Sequence, residues 1–447
     1  MLVLASDLHL TDGTTCANVT PDAFYLFTDR ICDLAYRASW RAGDCYQPIE
    51  QVDVVLLGDI FDLLHSTHWE AGVKPWDDVN SPAYQQTIDA ITAGILEHNA
   101  PALAVLKRLS EPGTVRVSTR PHQPGGRPRR MNDVAVRLWY MIGNHDWYYH
   151  LPGAAYDAIR SKLNAAAGLS NPITPIPYIP EELPELAQIL QAHAVYARHG
   201  DFYDAFNFDQ SRGRDASALG DAVAALLIDR FPSAVQAELG DQLSPECVRQ
   251  LREIVNVRPA LLVPTWIDSL LRQNCDPALA ERVKGIWNDL ASQFMRHPFV
   301  RSFDRRFRLD AVDALEAVLT ISKTASFETL SNLMAFVTRH FWGGNISFAK
   351  NALQEKAFQD HRARFVVYGH THHQEVTPLD VYQQHNVPLS EICFNTGTWH
   401  ALHTATEANP EYVNFVSYYT MTITAFFKDG ERRGKPYETW TGTLGWD

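Results

Sequence analysis

Short, largely apolar runs recur along the chain, and each stops at a polar turn. The first, Met1 to Ser6, closes on Ser6-Asp7. Val52 to Asp62 (VDVVLLGDIFD) is the second, Val136 to Trp147 (VRLWYMIGNHDW) the third and Ala194 to Asp204 (AVYARHGDFYD) the fourth. A fifth, RFVVYGHTH, ends at His372. Runs that are apolar almost throughout, rather than alternating, predict strands buried on both faces. Segments of helical spacing lie between them. Phe24 to Trp40 puts Phe24, Phe27, Ile31, Leu34 and Ala38 on one face, and Ser81 to Leu109 opens with Ser-Pro, an N-cap followed by proline at the first helical position. Buried strands separated by helices predict an α/β core, with its chemistry gathered at the carboxyl ends of the strands.

From about Asp215 to Lys350 the pattern becomes purely helical, in segments such as DAVAALLIDRF, PALAERVKGIWNDLASQF and SFETLSNLMAFVTRHF. This predicts a helical insert over 211–345 between two parts of one core, 1–210 and 346–447. Its ends emerge between two of the polar turns, so it is expected to act as a cap over them. A dimerising or purely stabilising role is the alternative. Near the end of the chain, Val416 to Phe427 alternates, KDGE supplies a turn and YETWTGTL pairs back, which predicts a hairpin. Arg116 to Arg130 carries five arginines and no acid and reads as an exposed loop or hairpin tip.

Composition narrows the partners. The formal charge of −13 over 447 residues argues against a nucleic-acid backbone as the main partner. Two local exceptions, the 116–130 loop and the group Arg296, Arg301, Arg305, Arg306 and Arg308, offer sites for phosphates or simply solvated charge. Six cysteines stand without any C-x-x-C spacing, which is neither a disulfide framework nor a thiolate metal site. With no basic leader before the first strand and no integral membrane segment, the expectation is a cytoplasmic protein.

The polar turns hold the candidate chemistry. In order they read Asp7-Leu8-His9, Gly58-Asp59 with Asp62 beyond, Gly143-Asn144-His145-Asp146, His199-Gly200-Asp201 and Gly369-His370-Thr371-His372. A D-x-H triplet says nothing alone, whereas G-N-H-D directly after a strand is specific. In extended backbone His370 and His372 would face one object together and His373 would face away. Mixed Asp, Asn and His donors without thiolate suit borderline divalent metals such as manganese, iron or zinc.

This ordered set resembles the calcineurin-like metallophosphoesterase superfamily, whose blocks read D-x-H, G-D, G-N-H-D/E, H and G-H-x-H. The resemblance covers about 1–205 and 350–400 and leaves out the insert. It implies an αββα sandwich core and two divalent metal ions, manganese first, with iron or zinc as alternatives. It further implies that Asp7, His9 and His372 hold one metal, that Asn144, His199 and His370 hold the second, and that Asp59 bridges them. His199 rests on the order of the blocks, since its competitor His193 precedes the strand. His145, beside Asn144, is the candidate donor to the leaving oxygen, with Asp146 orienting its ring and Asp62 orienting ligands. The implied reaction is hydrolysis of a small phosphodiester, pyrophosphate or phosphomonoester by attack of a metal-bridging hydroxide.

SDLHL, GDIFDL, the HGD block and GHTHH are most similar to the branch that cleaves the pyrophosphate bond of UDP-2,3-diacylglucosamine. The chain departs from that branch in carrying His145 where the branch has arginine, and in its much greater length, so the lipid substrate is not carried over. The alternatives are a nuclease with a basic groove and a non-catalytic scaffold. A scaffold would be expected to lose ligands, and here every ligand position is filled. Asn395 to His400 (NTGTWH) follows a further core strand and either reaches the mouth of the site or is a turn built on Gly397.

Overall fold

The computed structural model describes residues 1–121, 130–304, 311–321, 348–384, 386–406, 408 and 413–446. Two sheets make the core. The larger runs β5 (Ala135–Met141), β2 (Gln51–Leu57), β1 (Leu2–Ala5), β12 (Phe415–Phe426), β11 (Ala401–Ala405) and β7 (Val257–Arg258), with β13 (Tyr437–Trp446) also paired to β12. The smaller runs β6 (Val195–Ala197), β8 (Phe365–Tyr368), β10 (Val387–Thr396) and β9 (Gln374–Gln384). In the first, β5, β2 and β1 are parallel and β12 is antiparallel to β1; in the second, β6, β8 and β10 are parallel.

The apolar runs are strands because each has two apolar faces to cover. Along β1, Leu2 and Leu4 point into the layer between the sheets, where they meet Val55, Leu57, Phe365, Val367 and Phe394. Val3 and Ala5 point the other way, into a cluster with Phe24, Phe27 and Ile31 of helix α1 (Pro21–Ala38) and Ile88, Ile91 and Ile95 of α2 (Pro82–His98). The outer face of the smaller sheet, Tyr196, Val366, Tyr368 and Cys393, is covered by Phe348, Ala352 and Phe358. The period of two thus assigns alternate residues to alternate layers, in the order helix, sheet, sheet, helix.

Ser81 caps α2, its hydroxyl accepting from the Tyr84 amide, as the Ser-Pro signal predicts. The helical stretch then breaks at Asn99, and α3 (Ala100–Leu109) starts afresh with proline near its first turn. The C-terminal hairpin pairs β12 with β13 from Phe426↔Tyr437 to Ser417↔Trp446. The arginine-rich segment is a hairpin too, β3 (Arg116–Ser118) on β4 (Met131–Asp133), with its tip, 122–129, outside the described residues.

The insert has a core of its own, in which Phe231, Trp266, Leu271, Trp287, Leu290 and Phe294 pack together. It is not wholly helical. Val257 and Arg258 form β7, which pairs in parallel with His403 and Thr404 at the edge of the larger sheet. Two residues are too few for any periodic signal, and the pairing is dictated by the partner strand. The helical spacing read over 326–341, and Arg305, Arg306 and Arg308, lie outside the described residues. No helix among the described residues is long and apolar enough to cross a membrane.

Candidate metal centre

Each polar turn leaves the carboxyl end of a parallel strand, so both sheets deliver side chains to one place. Asp7 and His9 follow β1, Asp59 follows β2, Asn144 and His145 follow β5, His199 follows β6, and His370 and His372 follow β8. The turns are stitched to one another. Gly58 N–H donates to Met141 O at 2.9 Å, Gly369 N–H to His199 O at 2.8 Å and His9 N–H to Asp59 O at 2.9 Å. The His370 amide, from the smaller sheet, donates to the Asp7 carboxylate of the larger one at 3.1 Å. Asp7, His9, Asp59, His370 and His372 all have positive φ, between 44° and 70°. Left-handed backbone in non-glycine residues is uncommon and gathers at functional sites.

That backbone corrects one expectation. His370 and His372 do not share a face through extended geometry, because β8 ends at Tyr368 and both residues are left-handed. They diverge into two neighbouring groups instead. His373, as expected, is exposed and joins neither.

Asp7, His9 and His372 make the first group: His372 Nε2 lies 3.0 Å from His9 Nε2 and 3.3 Å from Asp7 Oδ1. Asp59, His199 and His370 make the second, with His199 Nε2 3.1 Å from Asp59 Oδ2. The same Asp59 oxygen is 4.0 Å from His9 Nε2, so one carboxylate faces both groups. Within each group the ligand-capable atoms all lie within 4.8 Å of one another. Glycine is required where side chains crowd the backbone. A Cβ on Gly143 would collide with Asp59 and the His199 ring, and one on Gly58 would collide with the same ring.

Outer partners fix which nitrogen of each ring is left to face the centre. Asp62 takes His9 Nδ1 at 2.7 Å, the Leu57 carbonyl takes His199 Nδ1 at 3.0 Å, and Asp204 takes His370 Nε2 at 2.9 Å. Carboxylates and carbonyls behind histidines are the usual way a ligating imidazole is oriented. Asp62 also takes His145 Nδ1, at 2.9 Å. Asp146 therefore does not orient the His145 ring. Its carboxylate turns back to accept from the amides of Ile60 (3.0 Å) and Gly143 (2.6 Å) and from the Tyr140 hydroxyl, bracing the turn from beneath.

The electrostatics follow from this packing. Burial favours the neutral form of Asp59, but His199 and His145 beside it hold its carboxyl well below the usual range. Burial also opposes the charge on Asp62, and His145 and His65 overcome it in the same direction. Asp7 goes the other way, raised chiefly by burial. For His145 burial lowers the pKa, yet the carboxylates of Asp62 and Asp59 reverse this and push it up to about 10. His372, buried beside the Arg258 cation, is held well below 6.5.

These residues fit divalent ions. The donors are two carboxylates turned inward, four imidazoles and an amide, with no thiolate, as borderline metals prefer. Asn144 Oδ1 is buried with no hydrogen-bond partner among the described residues, while its amide nitrogen donates to Asn207 at 3.3 Å. A buried acceptor left bare is costly unless something outside the chain meets it.

Four residues at the site escaped the sequence reading. Asp204 closes the HGDFYD stretch, but nothing in the spacing marks it as the partner of His370. Arg258 of the insert places Nη2 2.9 Å from His372 Nδ1. Asp229, also of the insert, takes His65 Nδ1 at 2.7 Å, and Asn256 accepts from His400 Nδ1 at 2.6 Å. The NTGTWH segment lies at the site as well as in a turn: Thr398 donates to the Asp7 carbonyl at 2.6 Å, and the His400 ring lies 6.1 Å from that of His9. The described part of the arginine clusters stays at the surface, with Arg116 paired to Asp133 and Arg301 to Asp304. Compared with protein-family models and with curated proteins, the chain matches none.

Proposed function

We propose that the chain is a dinuclear metal-dependent phosphoesterase of the calcineurin-like type, acting on a small phosphodiester, pyrophosphate or phosphomonoester. One observation carries the reading. Two groups of buried ligand-capable side chains, Asp7–His9–His372 and Asp59–His199–His370, stand side by side with Asp59 facing both. In this reading Asp7, His9 and His372 hold one ion, His199, His370 and Asn144 the other, and Asp59 both, manganese being the first choice. Two bound divalent ions would supply charge to neutralise the phosphoryl oxygens and acidity to activate a water.

The remaining steps belong to the protein. His145 stands edge-on to His9 with ring centroids 4.8 Å apart, part-exposed at the mouth of the site. Its Nδ1–H is held by Asp62, which leaves Nε2 to give a hydrogen bond or a proton to the departing oxygen. Asp62 serves both histidines, so it couples the position of that donor to the position of a ligand. The ordering of the turns by backbone hydrogen bonds keeps the groups in place before substrate arrives. The scatter of six cysteines without paired spacing supports a reducing, cytoplasmic setting.

Hydrolysis of bis-p-nitrophenyl phosphate and p-nitrophenyl phosphate by manganese-loaded protein tests the proposal. Turnover of either ester, abolished in Asp59→Asn and reduced in His145→Ala, is the expected result. Metal-loaded protein that turns over neither ester would point to a scaffold.

A further inference from the structure

The insert carries one cation into the candidate metal centre, and among the described residues that cation has no ion-pair partner, only the more distant carboxylates of Asp7 and Asp59. Arg258 is the second residue of β7, fixed by the pairing of that strand to β11. Its Nη1 donates to the carbonyls of Val255 at 2.7 Å and Val257 at 3.0 Å, which sets the direction of the guanidinium. The segment around it is anchored. Asn256 is held by Glu253 at 2.6 Å and takes His400 Nδ1–H from the core, and both are buried. Nη2 is the free end, 2.9 Å from His372 Nδ1 and 3.4 Å from His372 Nε2. Asp7 and Asp59 favour its charge from a distance, but among the described residues no carboxylate forms an ion pair with this guanidinium, although buried arginines are ordinarily paired.

The proton inventory of His372 makes the vacancy specific. Its Nε2 is the atom that converges with His9 and Asp7. An imidazole that gives Nε2 to an ion keeps its proton on Nδ1, and then Nδ1 is a donor. A donor cannot accept from Arg258, so in the ion-holding site Nη2 has no acceptor from His372. An anion lying over the two groups would be within its reach and would supply that acceptor.

We propose that Arg258 binds the non-leaving oxygens of the substrate's phosphoryl group, which makes the insert a working part of the site. The inference rests on the phosphoesterase reading and narrows it: the substrate presents a charged phosphoryl oxygen toward the insert, where the planar guanidinium is matched to it.

Inorganic phosphate is the probe, titrated calorimetrically into manganese-loaded full-length protein, with bound manganese counted on the same samples. Arg258→Ala should keep the wild-type manganese content and bind phosphate at least about 10-fold more weakly. Arg258→Lys, which keeps charge without the planar fork, should fall between the two and serves if Arg258→Ala does not fold. Unchanged phosphate affinity in the variants overturns the proposal, and so does a loss of manganese from them, which would make Arg258 a support for His372. Wild-type protein that holds two ions and hydrolyses esters while the variants bind phosphate normally would refute the role of Arg258 alone. Wild-type protein without ions would refute the phosphoesterase reading along with it.

Discussion

The two-sheet core and the insert reach the same site by different means. In the core, strands buried on both faces run out of apolar residues and turn, and five strand ends present ligand-capable side chains, three of them (after β2, β5 and β8) directly behind a glycine. The rule is local, and so it is written in the sequence. The insert has its own apolar cluster and delivers Arg258, Asn256 and Asp229 from a two-residue strand, a short turn and a helical segment. Nothing local marks those three. Ligand-capable side chains can be placed by strand ends and the turns that follow them, whereas the insert's groups at the site depend on how a separately packed unit meets the core.

The largest effect expected from breaking this contrast lies in the core. Asp59→Asn removes the carboxylate common to both groups, and ester turnover should fall by more than about 10³-fold, read in steady-state assays. In the insert, Trp287→Ala empties a buried site against Phe231, 5.2 Å away. It should destabilise the insert by about 3–5 kcal/mol in denaturant unfolding while the core retains its metal. Simultaneous loss of metal would show that the two regions unfold as one.

One pH effect should arise in the core. His193, buried near the start of β6 with Nδ1 bonded to the Ile189 carbonyl, is lowered by burial to about 4. The unfolded chain, with histidine near 6.5, then binds more protons than the native state between pH 6.5 and 4. Stability should therefore fall as pH drops through that window, by roughly 3 kcal/mol in all, and His193→Gln should flatten that part of the profile. Asp62→Asn, which loosens His9 and His145 together, should cost about 10- to 100-fold in metal affinity or activity, within about 1.4–2.8 kcal/mol. Smallest of all, Arg116→Ala on the exposed β3–β4 hairpin should change stability by no more than about 0.5 kcal/mol.

How much was legible follows the same divide. The class of fold, the hairpin at the end of the chain and the polar turns that converge on one place could be read because apolar period and turn residues are short-range signals. His370 and His372 were expected on one face and instead diverge, because the alternation rule ends where the strand ends, at Tyr368. Asp146 was expected behind His145 because it is next in sequence, yet its side chain is drawn under the turn by the amides of Ile60 and Gly143. Asp62, 83 residues away, takes its place. Asp204 and Arg258 were invisible for a related reason: each is defined only by the ring it touches, and those contacts span 166 and 114 residues.

The most direct measurement is a count of ions per chain. Protein saturated with manganese and then freed of unbound metal would be analysed by mass spectrometry of the element, with Asp59→Asn alongside. Two ions in the wild type and fewer in Asp59→Asn is the expected result. One ion or none in the metal-replete wild type would contradict a dinuclear centre at the ends of these strands.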